Sequence, residues 1–182
     1  ENNLERKKVK KMIWFTSDLH LGHRAAVHMC GRPFETVEEM NETLIRNFNS
    51  CVKKSDTVYI LGDLSHRIPV VEANELISRL NGKKILCKGN HDRKYDPQLF
   101  EGMHDFLQVS LNGFNMSLMH YPMMSWPKSS HGSVHLHGHL HSKPEYNLQQ
   151  REAGVLRYDV GVDANHFYPV SLEQVKAFFS IE

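Results

Sequence analysis

Eight side chains able to bind a metal or move a proton follow short apolar runs in this chain: Asp18, His20, Asp63, Asn90, His91, His120, His139 and His141. All offer oxygen or nitrogen. None is a thiolate, which separates the set from closed structural zinc sites rich in cysteine. The set is too large for one ion, and two divalent ions about 3.5–4 Å apart are the arrangement that would use it. Such a pair lowers the pKa of a bound water, so that hydroxide forms near neutral pH. Asp18 and His20 are two positions apart, so in extended backbone they point to the same side and can close on one ion. Gly89-Asn90-His91-Asp92 sets an amide oxygen, an imidazole and a carboxylate behind a glycine that permits close approach. Alone, that tetrapeptide reads as a polar turn. The groups at the other strand ends make it a site.

The elements that must position these groups can be read from hydrophobic period and turn chemistry. Residues 12–16, 57–61 and 83–87 are short apolar, β-branched runs, hence buried strands. Each stops at a polar segment carrying candidate ligands. Between the first two, Thr36 can cap a helix, with Glu39 placed for a capping box. Val37, Met40, Leu44, Ile45, Phe48 and Val52 follow helical spacing. A second helix is predicted over 70–80, ended by Asn81-Gly82. Strand–helix–strand–helix–strand implies parallel strands with right-handed crossovers. Ligands in such sheets bind beyond the carboxyl ends of the strands. In the second half, residues 105–111 and 114–120 flank Asn112-Gly113, a two-residue hairpin signal. Residues 133–137 form another strand, 142–154 a surface loop, 155–163 an extended segment or strand pair, and 172–179 a closing helix.

The 182 residues suit one domain, taken as 12–182 behind a charged arm over 1–11. The net charge of +1 gives no global basic field for nucleic acid or acidic membranes. No apolar run approaches the roughly 18 residues that span a bilayer. The three cysteines, Cys30, Cys51 and Cys87, form no CxxC pair and no disulfide framework. That favours a reducing compartment and a cytoplasmic location. Histidine is the compositional anomaly, with 13 copies gathered at a few strand ends.

The order Asp18-x-His20, Gly62-Asp63, Gly89-Asn90-His91-Asp92, His120 and Gly138-His139-x-His141 resembles the calcineurin-like metallophosphoesterase superfamily, all five blocks being present in sequence. The remainder looks like its small bacterial and phage phosphoesterases. The resemblance implies an α/β (α+β) fold, a four-layer αββα sandwich of two mixed sheets flanked by helices. It also implies two divalent ions, drawn from Mn²⁺, Fe²⁺/Fe³⁺, Zn²⁺ or Ni²⁺. Asp18, His20 and His141 would hold one ion, Asn90, His120 and His139 the other, and Asp63 would bridge them. A metal-bridging hydroxide would attack the phosphorus of a phosphomonoester or phosphodiester. His91 would contact the substrate phosphate and protonate the leaving group, and Asp92 would orient His91. Asn90 and His91 would thus face substrate.

His23, three residues after His20, is weighed equally as a substrate contact and as a plain loop histidine. His66 and Arg67 read as solvated loop residues, with contact to a substrate phosphate as the minority reading, Arg32 as a surface salt bridge rather than a bidentate phosphate contact, and His135 and His137 as structural. Trp126 and Tyr121 are weak candidates for stacking on a base. The chain is short and nearly neutral, which favours a small phosphorylated substrate or nucleotide over nucleic acid. A non-catalytic interaction scaffold on the same fold is the rival reading, countered by the presence of every core motif residue.

Overall fold

The computed structural model describes residues 11–111 and 113–180. The basic arm expected over 1–11 lies almost wholly outside them, as does Asn112 of the hairpin turn. The elements run β1 (Ile13–Thr16), α1 (Arg24–Met29), α2 (Val37–Cys51), β2 (Thr57–Ile60), α3 (Val70–Ser78), β3 (Lys83–Cys87), β4 (Gly102–His104), β5 (Phe106–Leu111), β6 (Phe114–Met119), β7 (Val134–His137), α4 (Glu145–Glu152), β8 (Arg157–Asp159), β9 (Val170–Ser171) and α5 (Leu172–Phe178). They form a five-stranded sheet in the order β4-β3-β2-β1-β9 and a four-stranded sheet β5-β6-β7-β8. Both are mixed. β9 runs antiparallel to β1 beside the parallel β1–β4, and the β5–β6 hairpin joins the parallel β6–β7–β8.

Alternation along the first sheet builds two cores. Val58, Ile60 and Leu86 face a cluster with Met40, Leu44, Phe48 and Ile77 from α2 and α3. Phe15, Leu61 and Cys87 face the other way, onto Phe114, Met116, Leu118, Val134 and Leu136 of the second sheet. The period of two in a strand thus places helices on one face and the second sheet on the other. This is the expected sandwich of two mixed sheets flanked by helices.

Thr36 caps α2 by accepting from the Glu39 N–H at 3.1 Å, but Glu39 accepts from the backbone N–H of Glu35, so no reciprocal box closes. A full box forms instead at Ser171 and Gln174, opening α5. The segment expected as a surface loop over 142–154 contains α4. Its one buried residue is Asn147, whose amide pairs with the backbone N–H and C=O of Asp159 at 2.7 and 3.0 Å. An amide anchor leaves no apolar stripe, which is why periodicity does not reveal this helix. The extended segment over 155–163 divides into β8 and a 3₁₀ turn at Val162–Asn165. No helix among the described residues is long and apolar enough to cross a membrane.

Candidate metal centre

Parallel pairing of β1, β2 and β3 brings their carboxyl ends to one edge. The loops beyond continue the ladder, Asp18 N–H donating to the Gly62 carbonyl and His20 N–H to the Asp63 carbonyl, both at 3.0 Å. The second sheet delivers the remaining groups from the ends of β6 and β7, where Gly138 N–H donates to the His120 carbonyl at 2.9 Å. All the residues proposed from sequence as ligands therefore meet at the seam between the sheets.

They fall into two groups. In one, His20 Nε2 lies 3.1 Å from His141 Nε2, and these nitrogens are 4.0 and 3.9 Å from Asp18 Oδ1. In the other, His120 Nε2 is 3.0 Å from Asn90 Oδ1 and 3.2 Å from His139 Nδ1. Between them, Asp63 Oδ2 stands 3.5 Å from both His20 Nε2 and His120 Nε2. One carboxylate oxygen thus reaches both groups. Asp18 Oδ1 is buried with no hydrogen-bond partner among the described residues, a costly state for a carboxylate oxygen unless a cation meets it. This orphaned oxygen and the all-oxygen-and-imidazole donor set fit divalent metal ions.

The electrostatics point the same way. Burial raises the Asp18 carboxyl well above its usual range, partly offset by His120 and His141. Burial and the neighbouring His141 hold the His20 imidazolium down to about 2, so its ring is neutral and keeps a lone pair. For His141, burial lowers the value, but hydrogen bonds to Asp163 and Cys30 and the charge of Asp18 raise it to about 10. Asp163 is held below the usual carboxylate range: burial works to raise it, but His141 and Arg32 lower it further. Its Oδ2 accepts from His141 Nδ1 at 2.8 Å, which turns His141 Nε2 toward Asp18. Without metal, Asp18 and His141 hold protons that an ion must displace. Metal affinity is expected to rise with pH, first through about pH 7 as Asp18 ionises and on toward about pH 10 as His141 loses its proton, with proton release on binding. Calorimetry in buffers of different ionisation enthalpy checks this, and a pH-independent affinity would contradict it.

The backbone carries strain where the candidate ligands sit. Asp18, His20, Asp63, His139 and His141 all have positive φ, from 49° to 73°. The left-handed region costs a non-glycine residue about 1–2 kcal/mol. Its concentration at these positions is what aims successive side chains into one cleft. The glycines beside them are required by space. A Cβ on Gly62 would lie 2.6 Å from the Gly89 nitrogen and from His120 Nδ1, and one on Gly89 would collide with the Asp63 carboxylate.

Several expectations change. Asp92 does not orient His91. Its carboxylate accepts from the backbone N–H groups of Asp63, Leu64 and Gly89 and from the Tyr95 hydroxyl, all at 2.8–2.9 Å. Both oxygens are occupied in tying the β2 loop to the β3 loop. Asp92→Ala is therefore expected to destabilise the metal-free protein by about 3 kcal/mol, read from the urea midpoint. An unchanged midpoint with only a lost rate would restore the orienting role. Arg32 is not a surface residue. It is buried, pairs with both Asp163 oxygens at 2.8–2.9 Å, and donates to the carbonyls of Asp18 and Leu19. It holds the β1 loop and the carboxylate behind His141 together.

His91 stands at the cleft with its ring 3.9 Å from that of His66 and 5.6 Å from that of His20. The His91 backbone N–H donates to Asp63 Oδ1 at 2.9 Å. His66 therefore belongs to the histidine cluster rather than to a solvated loop. His23 is buried in the same cluster, 4.5 Å ring to ring from His66. Tyr121 packs edge-on against His120 and His139, while Trp126 is turned away, donating to the Ser133 carbonyl at 2.8 Å. His135 and His137 are buried against backbone carbonyls, as expected for structural residues. Sequence reasoning missed Asp163, Cys30 and Tyr95. Of these, only Asp163 gave a signal, as a carboxylate two residues after Gly161.

The sequence pattern described as Calcineurin-like phosphoesterase matches residues 11–163. An uncharacterized protein of Methanocaldococcus jannaschii is 33% identical over 171 residues, covering 91% of this chain and 89% of its own length. The Gene 66 protein of Mycobacterium phage L5 is 30% identical, with 83% of this chain and 86% of that protein covered. Among solved structures, a protein of unknown function from Aquifex aeolicus superposes with a TM-score of 0.75 at 22% identity, over 92% of this chain and 99% of that one. That likeness concerns the fold. The matched pattern and the identity to these relatives establish that the chain belongs to the calcineurin-like phosphoesterase family.

Proposed function

We propose that this protein is a metal-dependent phosphoester hydrolase with a dinuclear centre, acting on a small phosphomonoester or phosphodiester, a nucleotide included. The observation that carries the reading is the place of Asp63, one carboxylate oxygen lying 3.5 Å from a nitrogen in each ligand group. Asp18, His20 and His141 would hold one ion, Asn90, His120 and His139 the other, with Asp63 shared. Two bound divalent ions (Mn²⁺, Fe²⁺/Fe³⁺, Zn²⁺ or Ni²⁺) would supply positive charge at the phosphoryl oxygens and an activated water near neutral pH.

The chain's own residues do the rest. Arg32 and Asp163 fix the β1 loop and His141 in place. Asp92 locks the loops bearing Asp63 and Asn90 against each other. His91, on the wall of the cleft, is placed to donate to a phosphoryl oxygen and to pass a proton to the departing oxygen. The cleft is lined by His20, His23, Asp63, His91, His139 and His141 among others, and its volume of about 280 Å³ suits a small substrate.

The test is a screen of aryl phosphate monoesters, diesters and cyclic nucleotides with Mn²⁺-loaded protein. Hydrolysis that stops with a chelator and returns with metal is the expected result. A protein that binds two ions and hydrolyses none of them would favour the interaction scaffold.

A further inference from the structure

A second cleft opens beside the metal cleft, and His23 lines both. Its other lining residues are Gly22, Arg24, Ala25, Arg67 and Ile68, and its volume is about 290 Å³. Two arginines and no carboxylate face it. Both are exposed, and neither guanidinium has an ion-pair or hydrogen-bond partner among the described residues. This differs from Arg79 and Arg32, which are engaged with Glu42 and Asp163. His23 is 8% exposed, yet both of its ring nitrogens lack a hydrogen-bond partner among the described residues, as does Nδ1 of the adjacent His66. Buried polar groups are ordinarily paired, and leaving one unpaired is costly. Nothing in the fold itself explains an imidazole with two idle nitrogens on the wall between two clefts.

We infer that the second cleft is an anion subsite, in which Arg24 and Arg67 hold a second phosphate of the substrate and His23, on the wall between the clefts, donates a hydrogen bond to an oxygen of that phosphate. The inference rests on the hydrolase reading and narrows it, since the substrate becomes a small bisphosphorylated molecule. Arg24 and Arg67 recognise the second phosphate by charge and paired N–H donors. Ala25 and Ile68 offer the linking carbons an apolar wall. His23 gains a partner that it lacks when the ligand spans both clefts.

Binding of two phosphonates that cannot be hydrolysed tests this on the full, Mn²⁺-loaded chain. Propylene bisphosphonate is expected to bind about tenfold more tightly than propylphosphonate. Arg24→Ala combined with Arg67→Ala should remove that advantage and leave propylphosphonate unchanged. His23→Phe, which keeps the volume and removes both nitrogens, should weaken the bisphosphonate more than the monophosphonate. Equal affinities in the unaltered protein, or losses shared equally by both ligands, would overturn the subsite. A short oligonucleotide that outcompetes the bisphosphonate in an Arg67-dependent way would overturn the small-molecule assignment. Hydrolysis of an aryl phosphodiester by the same preparation reports on the hydrolase reading separately, because phosphonate binding does not depend on turnover.

Discussion

Asp63→Asn is expected to cost metal affinity and hydrolysis together, with the rate falling about a thousandfold. Bound metal supplies several kcal/mol of charge stabilisation in the transition state, and each 1.36 kcal/mol is about tenfold. The substitution is nearly isosteric. It leaves an oxygen able to accept from the His91 N–H, the bond now made by Asp63 Oδ1 at 2.9 Å. Fold and loop placement should therefore survive. What is lost is the negative charge between the two groups, where Oδ2 stands 3.5 Å from His20 and from His120. Metal content by elemental analysis and steady-state rates must be read on the same sample. Two tightly bound ions with an undiminished rate would remove Asp63 from the bridging position.

His91→Ala separates proton transfer from metal binding. Its ring is not within either ligand group but stands on the cleft wall, 5.6 Å from the His20 ring. The variant is expected to keep both ions and to lose about a hundredfold to ten-thousandfold in rate, the span of a positioned general acid. The loss should grow as the leaving group becomes more basic, because a poor leaving group needs the proton most. A series of aryl esters gives this dependence as a slope. Loss of a metal instead would make His91 a ligand, and an equal loss for every leaving group would reduce it to a phosphate contact.

The sequence and the structure agree most where apolar period and turn chemistry act locally. β1, β2 and β3 are β-branched runs that stop at glycine or acid, so their boundaries and the place of Asp18, Asp63 and Asn90 could be read directly. α4 could not, because a single amide, Asn147, does the work that an apolar stripe usually does. β9 has two residues and β4 three, too short for a period of two to be visible. The roles of Asp92 and Arg32 were hidden for another reason. Asp92 sits beside His91 in sequence, yet two of its four partners lie 28 and 29 positions away in the β2 loop. Arg32 lies 131 positions from Asp163. A side chain's neighbours in sequence are poor guides to its hydrogen bonds when its partners belong to a loop that follows another strand. The left-handed conformation at Asp18, His20, Asp63, His139 and His141 likewise leaves no trace in residue type.

The two-metal centre is tested most directly by anomalous scattering from crystals grown with Mn²⁺. Two peaks are expected about 3.5–4 Å apart, on either side of the Asp63 carboxylate. One should be shared by Asp18, His20 and His141, the other by Asn90, His120 and His139. A single peak, or a second peak away from Asn90, His120 and His139, would contradict the account.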